Sequence, residues 1–185
     1  MVLSSGQEGI ALKNKRGGDS PRTIIKERNN MEELEIEKKF LLTDEQAQSL
    51  LKEAPDDGIQ MVDYYVPNTR GHMDLRIRKK GKEYCITRKT PVEGGVMKEV
   101  TIPIGELEFM FLTHGIVTSV SKVRFKIKFE GHDAELDIYD GRHAGINMLE
   151  IEFPNKQAFD DLQLQHNLQD ITGIEKWAAG KLAEL

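Results

Sequence analysis

The sequence predicts an α+β fold built on one large antiparallel sheet. Three observations carry this expectation. Segments at 60–66, 73–79, 83–89, 97–103, 120–129, 133–139 and 147–153 alternate apolar and polar residues with a period of two. Helical patterns are confined to short stretches before, within and after that run. Tight-turn signals separate neighbouring strands, as in hairpins. Strand, helix, many strands with one inserted helix and then helices is the order of an α+β domain, its sheet open or closed into a barrel.

Order begins near Met31. Leu34-Glu35-Ile36-Glu37-Lys38-Lys39-Phe40 alternates and predicts a first strand. Thr43-Asp44-Glu45-Gln46 is a capping-box pattern, opening a helix that should run to about residue 53 and stop before Pro55. Asp56-Asp57-Gly58 reads as a turn. Lys80-Gly81-Lys82 and Gly131-His132 read as tight hairpins, and Glu93-Gly94-Gly95 as a looser loop. A helix over 105–114 should be closed by Gly115. Segments 155–164 and 174–184 read as the last helices.

The chain has 185 residues, 31% of them charged, and a mean hydropathy of -0.49. One domain, residues 31–185, with an N-terminal leader, residues 1–30, fits that length. No apolar run approaches the ~18 residues a membrane helix needs. A single cysteine, Cys85, cannot form an internal disulfide, which fits a reducing, cytoplasmic setting. The leader carries six basic residues and three acids and lacks apolar periodicity, so it reads as flexible. The net charge of -5 therefore leaves the domain with an excess of acid, a poor surface for nonspecific nucleic-acid binding. The oligomeric state stays open, a homodimer being one option.

Residues two apart in a strand share a face. Glu35, Glu37 and Lys39 therefore point one way, as do Arg76 with Arg78, Cys85 with Thr87 and Lys89, and Glu99 with Thr101. The same holds for Lys122 with Arg124, Glu135 with Asp137, and Glu150 with Glu152. A solvated face mixes signs within a strand to avoid like-charge repulsion. Here acids pair on some strands and bases on others. Divalent ions held by oxygen ligands would offset the acids, and guanidinium groups grip phosphate through paired bonds. The pattern points to a metal-bound oligophosphate.

Absent motifs narrow the chemistry. There is no Gly-x-x-x-x-Gly-Lys-Ser/Thr loop and no Gly-x-Gly-x-x-Gly after a strand, so side chains must hold the phosphates. The histidines form no His-Glu-x-x-His. Asp133, Glu135 and Asp137 mimic a calcium loop, but Ile138 and Ala144 stand where it needs Gly and Glu. Cys85 has no adjacent histidine and reads as a small strand residue.

Glu35-Ile36-Glu37-Lys38-Lys39 resembles the Glu-x-Glu-x-Lys signature of the CYTH domain, the triphosphate tunnel metalloenzymes. Leu75-Arg76-Ile77-Arg78, Ile86-Thr87-Arg88-Lys89, Lys122-Val123-Arg124, Glu135-Leu136-Asp137 and Leu149-Glu150-Ile151-Glu152-Phe153 resemble its later strands, in order. The resemblance implies an eight-stranded antiparallel β-barrel with flanking helices and a charged lumen. It implies Mg²⁺ or Mn²⁺ held by Glu35, Glu37, Glu150 and Glu152, supported by Glu135 and Asp137, with Glu99 serving a second ion. Lys39, Arg76, Arg78, Lys89, Lys122 and Arg124 would bind phosphates, and Glu37, Lys39 and Glu152 would be catalytic. The activity implied is metal-dependent hydrolysis of a small triphosphate. A class IV adenylate cyclase and a binding module without turnover are the alternatives. Glu99-Val100-Thr101 departs from the family's Glu-x-Glu, and Lys176-Trp177-Ala178-Ala179 from the Arg-Tyr-x-Asn of many bacterial members.

Overall fold

A computed structural model describes residues 31–67, 75–91 and 97–185, with side chains from residue 35 onward. The leader assigned to 1–30 and the loop at 93–95 lie outside the described residues. The described strands are β1 (Met31–Glu35), β2 (Glu37–Leu42), β3 (Ile59–Tyr65), β4 (Leu75–Lys80), β5 (Glu83–Pro91), β6 (Met97–Ile104), β7 (Ser119–Phe129), β8 (His132–Tyr139), β9 (Asn147–Glu152) and β10 (Gln169–Asp170). The helices are α1 (Asp44–Leu51), α2 (Glu106–Thr113), α3 (Lys156–Asp160) and α4 (Ala179–Leu182). No described helix is long and apolar enough to cross a membrane.

All described strands join one antiparallel sheet in the order β1-β6-β5-β4-β3-β7-β8-β9-β2-β10. This corrects the expected eight-stranded closed barrel: the sheet has ten strands and is open, with β1 and β10 at its edges. The count rises because the first predicted strand is split in two and the short β10 is added. The first strand changes partner at Ile36, residues 31–35 running along β6 and residues 37–42 along β9. The edge of β2 that β9 leaves free is taken at Phe40 and Leu41 by β10.

Local signals explain the connections. Thr43 caps α1 through its side chain, and Gln46 returns a bond to the Thr43 N–H. Glu130 and Gly131, with φ of 47° and 85°, turn β7 into β8 in the left-handed region that a two-residue hairpin loop requires. The last helices are shorter than predicted. Asn155 caps α3, but the chain after Asp161 is drawn to the hairpin, where the Glu130 carboxylate accepts the N–H groups of Gln165 and His166 at 2.7 and 2.9 Å. The stretch 174–184 divides into a 3₁₀ turn, Glu175–Trp177, and α4, because Ala178 is extended.

The two faces of the sheet differ in chemistry. On one face Phe40, Leu42, Ile127, Phe129, Leu136, Leu149 and Ile151 pack against Ala47, Leu50 and Leu51 of the α1 region and Phe159 of α3. Each such large side chain contributes ~1.5–3 kcal/mol when fully buried. The opposite face carries the charged residues, and it is not simply solvated. One end of it is filled by Tyr65, Val120, Tyr139 and Met148, packed against Ile171, Leu182 and Ala183 of the C-terminal segment.

Candidate active site

The alternation that buries Leu136 and Leu149 outward turns Asp137 and Glu150 to the charged face, where both are also buried. Antiparallel register sets the neighbours. Glu37 stands opposite Glu152, Lys39 opposite Glu150, Glu135 opposite Glu150, and Arg124 opposite Asp137. Like charges directly opposite each other repel, so bases from nearby strands are drawn in.

Arg124 is the hub of the first network. It donates to both Asp137 oxygens at 2.6 Å, to Glu150 at 2.6 Å, and to Glu135. Lys39 binds Glu150 at 2.7 Å and lies 3.1 Å from Glu37. Lys122 pairs with Asp137. Burial alone would raise the Glu150 carboxyl; the charges of Lys39, Arg124 and Lys122 overcome that and hold it well below its ordinary value. Burial, and then the Arg124 charge, lower Lys122. Glu152 moves the other way: burial, then Glu135 and Glu37, raise it.

The second network lies on β1, β4, β5 and β6. Arg76 reaches Glu99 at 3.2 Å, and Lys89 pairs with Glu35 and lies 3.5 Å from Glu99. Thr101 donates to Glu99 at 3.0 Å and shares a 2.9 Å hydrogen bond with the buried Thr87. Burial raises Glu35 to about 7 despite Lys89 beside it.

Between the networks, Arg78 donates from Nε and Nη2 to the two oxygens of Asp63 at 2.6 and 2.7 Å. Asp63 was not singled out by the sequence reading, nor was Tyr65, pushed up to about 12 by burial and then by the Asp63 charge. The period-two rule places Met61, Asp63 and Tyr65 on one face of β3, and an acid flanked there by apolar residues was the available signal.

The predicted residues thus fall into two ion-pair networks and one locked pair rather than one ligand cluster. Among the described residues no three His, Cys, Asp or Glu side chains gather as a ready metal site. The donor set nevertheless suits a hard cation. Glu35, Glu37, Asp63, Glu99, Glu135, Asp137, Glu150 and Glu152, all oxygen donors, share this face with six bases, so acids outnumber bases there. A cavity of about 530 Å³ opens on Glu35, Glu37, Lys39, Arg76 and Lys89, and its far wall is the C-terminal segment with Phe159, Ile174 and Trp177.

Comparison with known proteins identifies the family and the fold. The family model described as the CYTH domain matches residues 33–181. An inorganic triphosphatase of Nitrosomonas europaea is 30% identical over 132 residues, covering 67% of this chain and 79% of its own. One of Acetivibrio thermocellus is 29% identical over 131 residues, covering 67% and 77%. The crystal structure of the inorganic triphosphatase NE1496 shares the fold with a TM-score of 0.57 at 24% identity, over 80% of this chain and 93% of that one. The paired acids and bases of the charged face are carried on the matched residues, and the chain belongs to the CYTH domain family.

Proposed function

We propose that the protein is a metal-dependent triphosphatase that hydrolyses inorganic triphosphate or a small substrate bearing one. The observation that carries this reading is the self-neutralised face: its bases are held by its own acids, so a polyanion and divalent ions entering together would replace charge with like charge. A triphosphate would take Lys39, Arg76, Lys89, Lys122 and Arg124 from their carboxylates and would meet Arg78 while Asp63 still holds it. The carboxylates released would hold Mg²⁺ or Mn²⁺, with Glu37, Glu135, Asp137, Glu150 and Glu152 forming one group and Glu35 and Glu99 another. When bound, the ion supplies charge neutralisation and polarisation at the phosphate oxygens. The relatives named inorganic triphosphatase support the substrate class.

Phosphoryl transfer depends on positioning and electrostatics more than on covalent chemistry. Arg76 and Arg78 fix the phosphate chain, and Lys39 neutralises charge on the oxygens of the group being transferred. A water oxygen bonds to the terminal phosphorus, the anhydride P–O bond breaks, and pyrophosphate leaves. The proton of that water passes to the Glu152 carboxylate. Glu37, across the ladder from Glu152, orients the water.

A class IV adenylate cyclase is the second reading, favoured by the aromatic wall of Phe159 and Trp177, on which a base could stack. One experiment separates them. Incubation with tripolyphosphate or ATP and Mg²⁺ or Mn²⁺ should release phosphate from tripolyphosphate and stop in excess EDTA. Cyclic AMP from ATP would support the cyclase instead, and activity undiminished by EDTA would refute metal dependence.

A further inference from the structure

Helix α2 lies on the outer face of the sheet, turned away from the charged site. Phe109 anchors it, with ring centres 5.8 Å from Tyr64 and 5.0 Å from Tyr84. Tyr64 alternates with Asp63 and Tyr65 of the charged face, and Tyr84 with Cys85, so both tyrosines point outward. A surface helix docked by one side is polar on the other. In α2 the other side is apolar. Leu107, Met110 and Phe111, at i, i+3 and i+4, form one stripe opposite Phe109. They are 69, 59 and 82% exposed, so no described residue covers them.

The apolar surface does not end with the stripe. Leu112, and Val117 in the loop that follows, are exposed as well. Ile102, whose ladder partner is Ile86, is exposed on the side of the sheet that carries Tyr84. Over residues 106–117 the acids are Glu106 and Glu108, both in the first turn, and no Lys or Arg is present. Scattered apolar side chains on a surface need no explanation, but a contiguous group of this size marks an interaction site. Aromatic residues and methionine are enriched in interface cores, and charge is depleted there.

Area and charge point to a second copy as the occupant. At roughly 150–200 Å² for a fully exposed large side chain, Leu107, Met110, Phe111, Leu112 and Val117 present on the order of 500–600 Å². Two such faces together bury about 1,000–1,200 Å², the size at which specific association begins. The stripe is also self-complementary. In an antiparallel two-fold pairing Leu107 of each copy meets Phe111 of the other, with Met110 near the axis. The two Glu106 carboxylates then sit at opposite ends, each towards His114 of the other copy, whereas a parallel pairing would set Glu106 against Glu106. The chain carries a net charge of -5, so two copies approach best where charge is sparse.

We propose that α2 is the centre of an isologous interface through which two copies of this chain associate, Leu107, Met110 and Phe111 forming its core. The contact lies on the outer face, so the charged face stays open in both copies. The interface does not depend on the triphosphatase reading.

Sedimentation equilibrium of the full-length protein over about 1–100 μM tests this. The mass should rise with concentration from 21.0 kDa towards twice that value. Phe111→Glu sets a charge against Leu107 of the other copy and should weaken association at least tenfold. Its thermal midpoint at low concentration should stay near that of the wild type, because Phe111 packs against little of its own chain. Leu107→Gln is the second variant and is read in the same way should Phe111→Glu fail to fold. A wild-type mass of 21.0 kDa at every concentration overturns the proposal, and leaves the stripe to another protein or to a segment outside the described residues. A dimer that the folded variants leave intact also overturns it, since another surface then holds the copies together.

Discussion

Asp63 holds Arg78 through two parallel hydrogen bonds, and only 1% of Asp63 is exposed. Burial would raise such a carboxyl, but the guanidinium more than offsets it and keeps the acid ionised far below its ordinary range. The pair fixes the plane of Arg78 in the middle of the charged face.

Asp63→Asn should therefore leave a buried guanidinium without its counter-charge. Breaking such a pair from one side costs about 3–5 kcal/mol. A lower thermal midpoint should appear together with a KM for tripolyphosphate raised about tenfold. Because the Asp63 pKa is depressed, its stabilising effect is present above the ordinary value of 3.8 and is lost as pH falls below it. Wild-type stability and KM in Asp63→Asn would show that Arg78 is held by other means.

Glu35 predicts the opposite pH behaviour. Its folded value, about 7, lies above the ordinary 4.5, so the folded protein keeps a proton that the unfolded chain releases. Stability contributed by that protonation is complete below 4.5 and is lost as pH rises through about 7. Glu35→Gln should flatten the fall in metal-free stability across that window by on the order of 2 kcal/mol. Denaturant titrations at pH 5 and pH 8 measure it, and equal slopes for the two proteins would refute the assignment.

Thr101 shares a strand face with Glu99, two residues away, and its hydroxyl donates to Glu99. A hydroxyl brings no charge to an ion near Glu99. Thr101→Glu should lower the Mn²⁺ or Mg²⁺ concentration for half-maximal activity several-fold, since ligand charge tunes affinity for hard cations. The titration is made at saturating tripolyphosphate, which separates this effect from repulsion of the substrate. An unchanged midpoint would place the ion away from β6.

Leu149 is fully buried on the apolar face, in the same strand as Glu150. Leu149→Ala should destabilise by about 2–5 kcal/mol, lowering the melting midpoint by about 10 °C, with KM for tripolyphosphate within twofold of wild type. A large change in KM at a temperature where the variant is folded would mean that the two faces are not independent.

Much of this molecule was legible because a strand with one face in an apolar core and the other in an ionic network alternates strictly. Lys122-Val123-Arg124-Phe125 announces both faces at once, and the strand limits follow within a residue or two. Thr43 and Gln46 announced α1 because a cap is a local interaction. The partner switch at Ile36 was not legible: alternation runs through it without a break, and pairing is set by what lies across the sheet. Asp63 escaped because a single acid in an apolar strand looks the same whether it meets solvent or a guanidinium. The short C-terminal elements escaped because Glu130, far away in the chain, sets the path of residues 165–166.

The divided first strand also bears on how the chain is made. Lys39 meets its ladder partner Glu150 only after 111 further residues have been synthesised. At about 5–20 residues per second that is a wait of roughly 6–20 s. During this interval residues 37–42 are a β-forming stretch with both edges bare, since β9 and β10 are still to come, the kind that recruits other chains. The side chains that later neutralise one another inside the fold, Glu35, Glu37 and Lys39, together with Lys38, then act as gatekeepers on the nascent chain. The charges of the candidate site should then limit aggregation of the nascent chain before there is a site for them to serve.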